Sequence, residues 1–134
     1  MQGSDLMSAF LRIEGDMDIE KKIKEIGDRY DSVEENVLLA GGNVAKKSMK
    51  SEVPVSDIDH MHIRDDIEVF DVEVVGGKRQ VAIAPGKDTN WRARFIEKGT
   101  SKQPPNPFMS RSMEKAKGEI REAMRQELLK GLGL

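Results

Sequence analysis

The chain has 134 residues, enough for one domain with a single buried core or for one domain carrying a long helix. It has no cysteine, which excludes disulfides, thiolate catalysis and thiolate zinc sites. Its net charge of −2 lacks the basic surplus expected of a chain that holds phosphates by charge.

Aromatics are only 4% of the residues, so the core must rest on aliphatic side chains and on eight methionines. Methionine fills irregular gaps and also suits adaptable surfaces, and the gap-filling role is the plainer one. No apolar run reaches the length of a membrane span and no signal peptide stands at the start. The expectation is a single soluble domain over 1–134, made in the cytoplasm.

Residues 1–16 carry no periodic pattern and are expected to be flexible. Ile19, Ile23, Ile26, Tyr30, Val33, Val37, Ala40 and Val44 then recur at steps of four and three, which puts them on one stripe of a helix. The spacing predicts a helix over 17–49, roughly 50 Å long at 1.5 Å per residue. Gly27 and the pair Gly41-Gly42 weaken it by up to about 1 kcal/mol each, and the pair marks a bend or a break. The stripe suits either the domain's own sheet or a neighbouring chain; Ile19, Ile23, Ile26, Tyr30, Val33 and Val37 are the candidate interface.

Ser51 to Asp66 reads as a polar connection, and a hidden strand in it would bring the sheet to four. Ile67 to Val75 is rich in β-branched residues, but 67 and 69 fall out of phase with 70, 72 and 74, the mark of a bulge. Gly76-Gly77 predicts a hairpin turn into a second strand over 78–84. Trp91, Ala93 and Phe95 alternate with Arg92 and Arg94, predicting a third strand and a sheet spanning 67–99. Asn106 then caps a last helix over 107–130, with Pro107 at its first position, Met109, Met113, Ala116, Ile120, Ala123 and Leu128 along its apolar face, and Gly131 as the stop. The fold class is α+β: a long N-terminal helix, an antiparallel sheet of three to four strands, and a C-terminal helix packed on it.

Chemistry-bearing patterns are few. Asp57, Asp59, His60, His62, Asp65 and Asp66 are close enough in sequence to hold a divalent metal, and a small metal hydrolase would centre on His60 and His62. A loop supplies fixed geometry poorly, so an ordinary solvated loop is the plainer reading and no metal or cofactor is expected. Arg92, Arg94, Lys98 and Lys102 form a local basic stripe that would suit nucleic acid or an acidic protein; a strand face protected by charge is the simpler account. No nucleophile elbow and no phosphate-binding glycine loop is present.

The run Ala93-Arg94-Phe95-Ile96-Glu97-Lys98-Gly99-Thr100, followed by Pro104-Pro105-Asn106-Pro107-Phe108-Met109, resembles the phage tail-component family of the gene-product-ten type, found in siphophages and related prophages. Phe95, Ile96, Glu97, Gly99, Thr100, Pro107 and Phe108 fall on its motif. Lys98, where an aromatic is usual, and Ser112 depart from it. Ile63-Arg64-Asp65-Asp66-Ile67 is similar to the segment that opens the family's first strand.

The resemblance implies a structural protein, not an enzyme. It implies tail completion or head–tail joining, contacts with connector and tail proteins, and a place in the neck or tail of the virion after assembly in the host cytoplasm. It also implies a ring of about six copies built from free monomers. A fingerprint of this kind is more often architecture than active site. Glu97 would then be a buried, paired carboxylate or an intersubunit contact.

Overall fold

The structure, a computed structural model, describes residues 11–14 and 30–134. In chain order the elements are β1 (Leu11–Glu14), α1 (Tyr30–Glu52), a 3₁₀ turn (Ile63–Asp66), β2 (Ile67–Val69), β3 (Glu73–Val75), β4 (Lys78–Pro85), α2 (Asn90–Lys98) and α3 (Phe108–Gly131). The layout is helix, antiparallel sheet, helix. The part of the expected first helix over 17–29, with Ile19, Ile23 and Ile26, lies outside the described residues.

β4 is the centre of the sheet. On one edge it pairs with β1, Leu11 opposite Ile83 and Glu14 opposite Gln80. On the other edge it pairs with β2 and then β3, and the register slips by one between them. Phe70, Asp71 and Val72 oppose two residues of β4, with Phe70 N–H still donating to Ala82 O at 2.9 Å. This is the bulge that the broken alternation of 67–75 implies. Gly76 and Gly77, at φ 59° and 79°, make the two-residue turn between β3 and β4.

Two expectations for the sheet are corrected. Residues 90–98 are not a strand but α2, in which Ala93 is buried and Ile96 half-buried, while Trp91 and Phe95 face out. A spacing of three buries one pair and a spacing of four exposes the other, so the apparent alternation was a helical face read at the wrong period. The additional strand is not in the connection before residue 67, which forms the 3₁₀ turn; it is β1, only four residues long and inside the stretch expected to be flexible.

α1 and α3 pack against each other and against the sheet. Leu38, Ala45, Met49, Ile63, Ile67, Val81, Ile83, Ala93, Phe108, Ala116 and Ile120 belong to the main core. The helix runs unbroken through Gly41-Gly42, contrary to the expected bend or break. A Cβ on Gly41 would lie 2.9 Å from Met124, and one on Gly42 would lie 3.0 Å from Val69, so the missing side chains let α3 and the sheet close on opposite flanks of α1. Ser48 Oγ donates to Ser112 O at 2.8 Å, and Ser112, wholly buried, keeps the two helices close.

At the far end of α1, Glu52 accepts from Arg111 Nε at 2.7 Å and Lys115 Nζ at 3.0 Å. Those bonds, Arg111's first, hold its carboxyl below the ordinary range. Arg79 of β4 reaches Asp31 at 2.7 Å and the buried Glu34 at 3.9 Å, linking the sheet to the start of α1.

Candidate functional site

Most of the motif residues meet at one corner, where α2 turns into α3. Gly99 ends α2 at φ 77° and ψ 173°, and its N–H donates to Phe95 O. A Cβ there would lie 2.6 Å from Pro105 N and 2.9 Å from Gln103 O, so the position needs glycine for its backbone region and for its space. Thr100 closes the next turn: its Oγ1 accepts from the N–H groups of Lys102 and Gln103, both at 3.2 Å. Asn106 N–H donates to Ile96 O at 2.8 Å, bringing the chain back to α2; the N-cap position expected of Asn106 falls instead on Pro107, which makes no side-chain cap bond, and α3 starts at Phe108. Phe108 then enters the core with no exposed surface.

Glu97 is the polar keystone of this corner. Its Oε1 accepts from Met109 N–H at 3.1 Å, at the first turn of α3, where backbone donors have no partner within the helix. Burial pushes its carboxyl up from the ordinary range, against the downward pull of hydrogen bonds from Met109 and Ser110. The carboxylate acts as a helix cap supplied from twelve residues upstream, in the favourable field of the helix N-terminus. Asp66 does the same for α2: its Oδ2 accepts from Thr89 N–H at 3.1 Å and Thr89 Oγ1 at 2.9 Å.

Among the described residues, large apolar side chains are exposed in the connection before residue 63 (Val55, Ile58 and Met61), on α2 and on the β2–β3 edge. On α2, Trp91 and Phe95 are 54% and 51% exposed and meet edge to face with ring centres 6.3 Å apart. Arg94 lies 5.9 Å over the Phe95 ring, and Lys98 is exposed at the helix end. On the β2–β3 edge, Phe70, Val74 and Val75 are 41%, 63% and 46% exposed beside the exposed Glu68, Asp71 and Glu73.

The histidine loop does not gather into a ligand set. Arg92 Nη1 donates to His60 Nε2 at 2.9 Å, Ser56 Oγ lies 2.8 Å from the same nitrogen, and Arg92 also donates to Met61 O. His62 meets His60 edge to face at 5.4 Å. Burial first, then the Arg92 charge, lowers the pKa of His60, which favours the neutral ring. Asp66, offered as a ligand by its spacing, is turned to the cap of α2. Among the described residues no three histidine or carboxylate side chains converge as a metal ion requires. A cleft of about 150 Å³ lies between this loop and α2, lined by Pro54, Val55, His60, His62, Arg92 and Ile96 among others.

A family model described as "Bacteriophage HK97-gp10, putative tail-component" matches residues 17–99, more than half of the chain. The chain belongs to the HK97-gp10-like family. The match takes in α1, β2 to β4 and α2, and ends on the Gly99 turn, so Thr100, Pro107 and Phe108 stand beyond it. Neither a curated protein nor a solved structure matches the chain. An HK97-gp10-like chain is a phage tail component, and its motif residues here support one another across a corner of the fold.

Of the stripe expected as an interface, Val33 and Val37 are buried against Met124 and Leu128 of the chain's own α3. Sequence reasoning missed the outward pair Trp91 and Phe95 as a surface. The signal was present: a spacing of four between two aromatics, bounded by Thr89 and by Gly99, is a short helix with its ends marked.

Proposed function

We propose that this chain is a structural component of the phage head–tail junction, acting in tail completion or head–tail joining through contacts with connector and tail proteins. It forms one domain, catalyses nothing, and works in the neck or tail of the virion after assembly in the host cytoplasm. Copies associate in a ring of about six around the DNA channel. The observation that carries this reading is the family match over residues 17–99. Two features support it. Most motif residues serve turns, caps and core packing, and among the described residues exposed apolar side chains, Phe95 among them, remain on α2, on the β2–β3 edge and in the connection before residue 63.

Electron microscopy of particles from a phage lacking this gene tests the proposal. Filled heads and finished tails lying unjoined are expected, or tails with abnormal ends if the chain acts on the tail side. Complete, normal virions would contradict it.

A further inference from the structure

We infer that copies of this chain join head to tail, the outer face of α2 in one copy seating on the β2–β3 edge of the next. The inference rests on the ring proposed above and names the two surfaces that build it. A ring requires a heterologous contact, in which two different patches of the same chain complement each other.

The fold places two such patches apart. The Gly76-Gly77 turn stands at the start of β4, and α2 follows its end, with Asn90 Nδ2 donating to Pro85 O at 3.2 Å. The eight residues of β4, at about 3.4 Å per step from Lys78 to Pro85, put roughly 24 Å between the turn and the start of α2. Glu68, opposite Ala84, lies near the start of α2, but the hairpin end with Glu73, Val74 and Val75 is remote from it and is available to a second copy.

Shape and charge favour this pairing over its rivals. The α2 face presents two aromatic rings with the exposed Lys98, and Lys102 follows on the exposed loop. The hairpin end of the β2–β3 edge presents Val75 on one face and Val74 on the other, with Asp71 and Glu73 beside them; Lys78 stands at the turn, and Arg79 is taken up by Asp31. Aromatic rings on aliphatic side chains, framed by opposite charges, make a complementary contact. A twofold contact of either patch with itself would instead oppose like charges. The edge is also an open sheet margin, which needs a cover to avoid unspecific strand pairing.

The chain contains no cysteine, so engineered thiols are the only ones in it. Phage particles are assembled with a Val74→Cys/Trp91→Cys double variant, and separately with Val75→Cys/Phe95→Cys, then oxidised and run without reductant. All four positions are solvent-exposed, and far-ultraviolet circular dichroism checks the fold. The expected result is a ladder of crosslinked multimers from at least one double variant, and uncrosslinked monomers from each single variant.

Dimers from a single-cysteine variant would show a twofold contact and overturn the inference. Particles that hold several copies but give no ladder from either pair would overturn it while leaving the ring intact. One copy per particle would remove the ring itself. Purified chain that binds single-stranded DNA at about 0.15 M salt, with the binding lost in Trp91→Ala, would make the α2 face a nucleic-acid surface and overturn the inference too.

Discussion

The corner between α2 and α3 and the hairpin between β3 and β4 both turn the chain on glycine, yet they use their side chains in opposite ways. At the corner, Gly99 sits under Pro105 and Gln103, Glu97 caps α3, and Phe108 is wholly buried. At the hairpin, nothing lies within 4 Å of where a Cβ on Gly76 or Gly77 would stand, and Val74 and Val75 are in solvent. The corner directs its residues inward and holds the fold, whereas the hairpin directs them outward and leaves them for another surface. A motif shared by a family can therefore be mostly architecture: of its large apolar residues here, Phe108 is wholly buried and Phe95 alone faces solvent, beside Trp91.

Substitutions sharpen this contrast. The largest effect is expected from Phe108→Ala, which leaves a cavity at the centre of the core and costs about 3–5 kcal/mol of stability. Chemical denaturation measures it; a loss below about 1 kcal/mol would mean that the corner is not anchored by the ring.

The two glycine sites come next and should separate. Ala at 99 must adopt a backbone region costing on the order of 1–3 kcal/mol and also displace the Pro105 backbone. Ala at 77 bears the left-handed cost alone, about 1–2 kcal/mol, because the space is open. Equal losses in thermal unfolding would break the comparison.

The smallest effect concerns pH. The folded chain holds Glu97 above its ordinary titration range, mainly through burial, so the folded state binds its proton more tightly than the unfolded one. Its contribution is therefore fully present below the unfolded value near 4.5 and declines as pH rises through the folded value. Glu52, held low by Arg111 and Lys115, works in the other direction: its contribution is present above 4.5 and is lost as pH falls through the folded value. Unfolding curves collected across acid pH should show Glu97→Gln losing the first dependence and Glu52→Gln the second. The same pH slope in both variants would contradict the assignment.

Much of the fold could be read from local pattern. The hairpin turn was announced by two adjacent glycines, the bulge by a slip in alternation between Val69 and Phe70, and α3 by Pro107 and by apolar steps of three and four. The failures share a physical cause, which is shortness. α2 has nine residues and β1 four, too few for a period to declare itself, and Trp91, Ala93 and Phe95 fit a strand as well as a helix.

At the corner, the residues were legible by resemblance but their work was not. Glu97 caps a helix that begins eleven positions later, and Asp66 caps one across the sheet, which no local window reports. The closeness of His60, His62 and Asp66 in sequence suggested a shared ligand; in space Arg92 takes one and Thr89 another.

The division of labour itself can be tested with two variants measured side by side, Glu97→Ala at the corner and Val74→Ser at the hairpin. Thermal unfolding of the purified chain and the yield of joined particles are recorded for both. The account predicts a lowered melting temperature for Glu97→Ala, and for Val74→Ser an unchanged melting temperature with a reduced particle yield. Full particle yield from Val74→Ser, together with Trp91→Ser behaving the same way, would show that these exposed surfaces take no part in assembly.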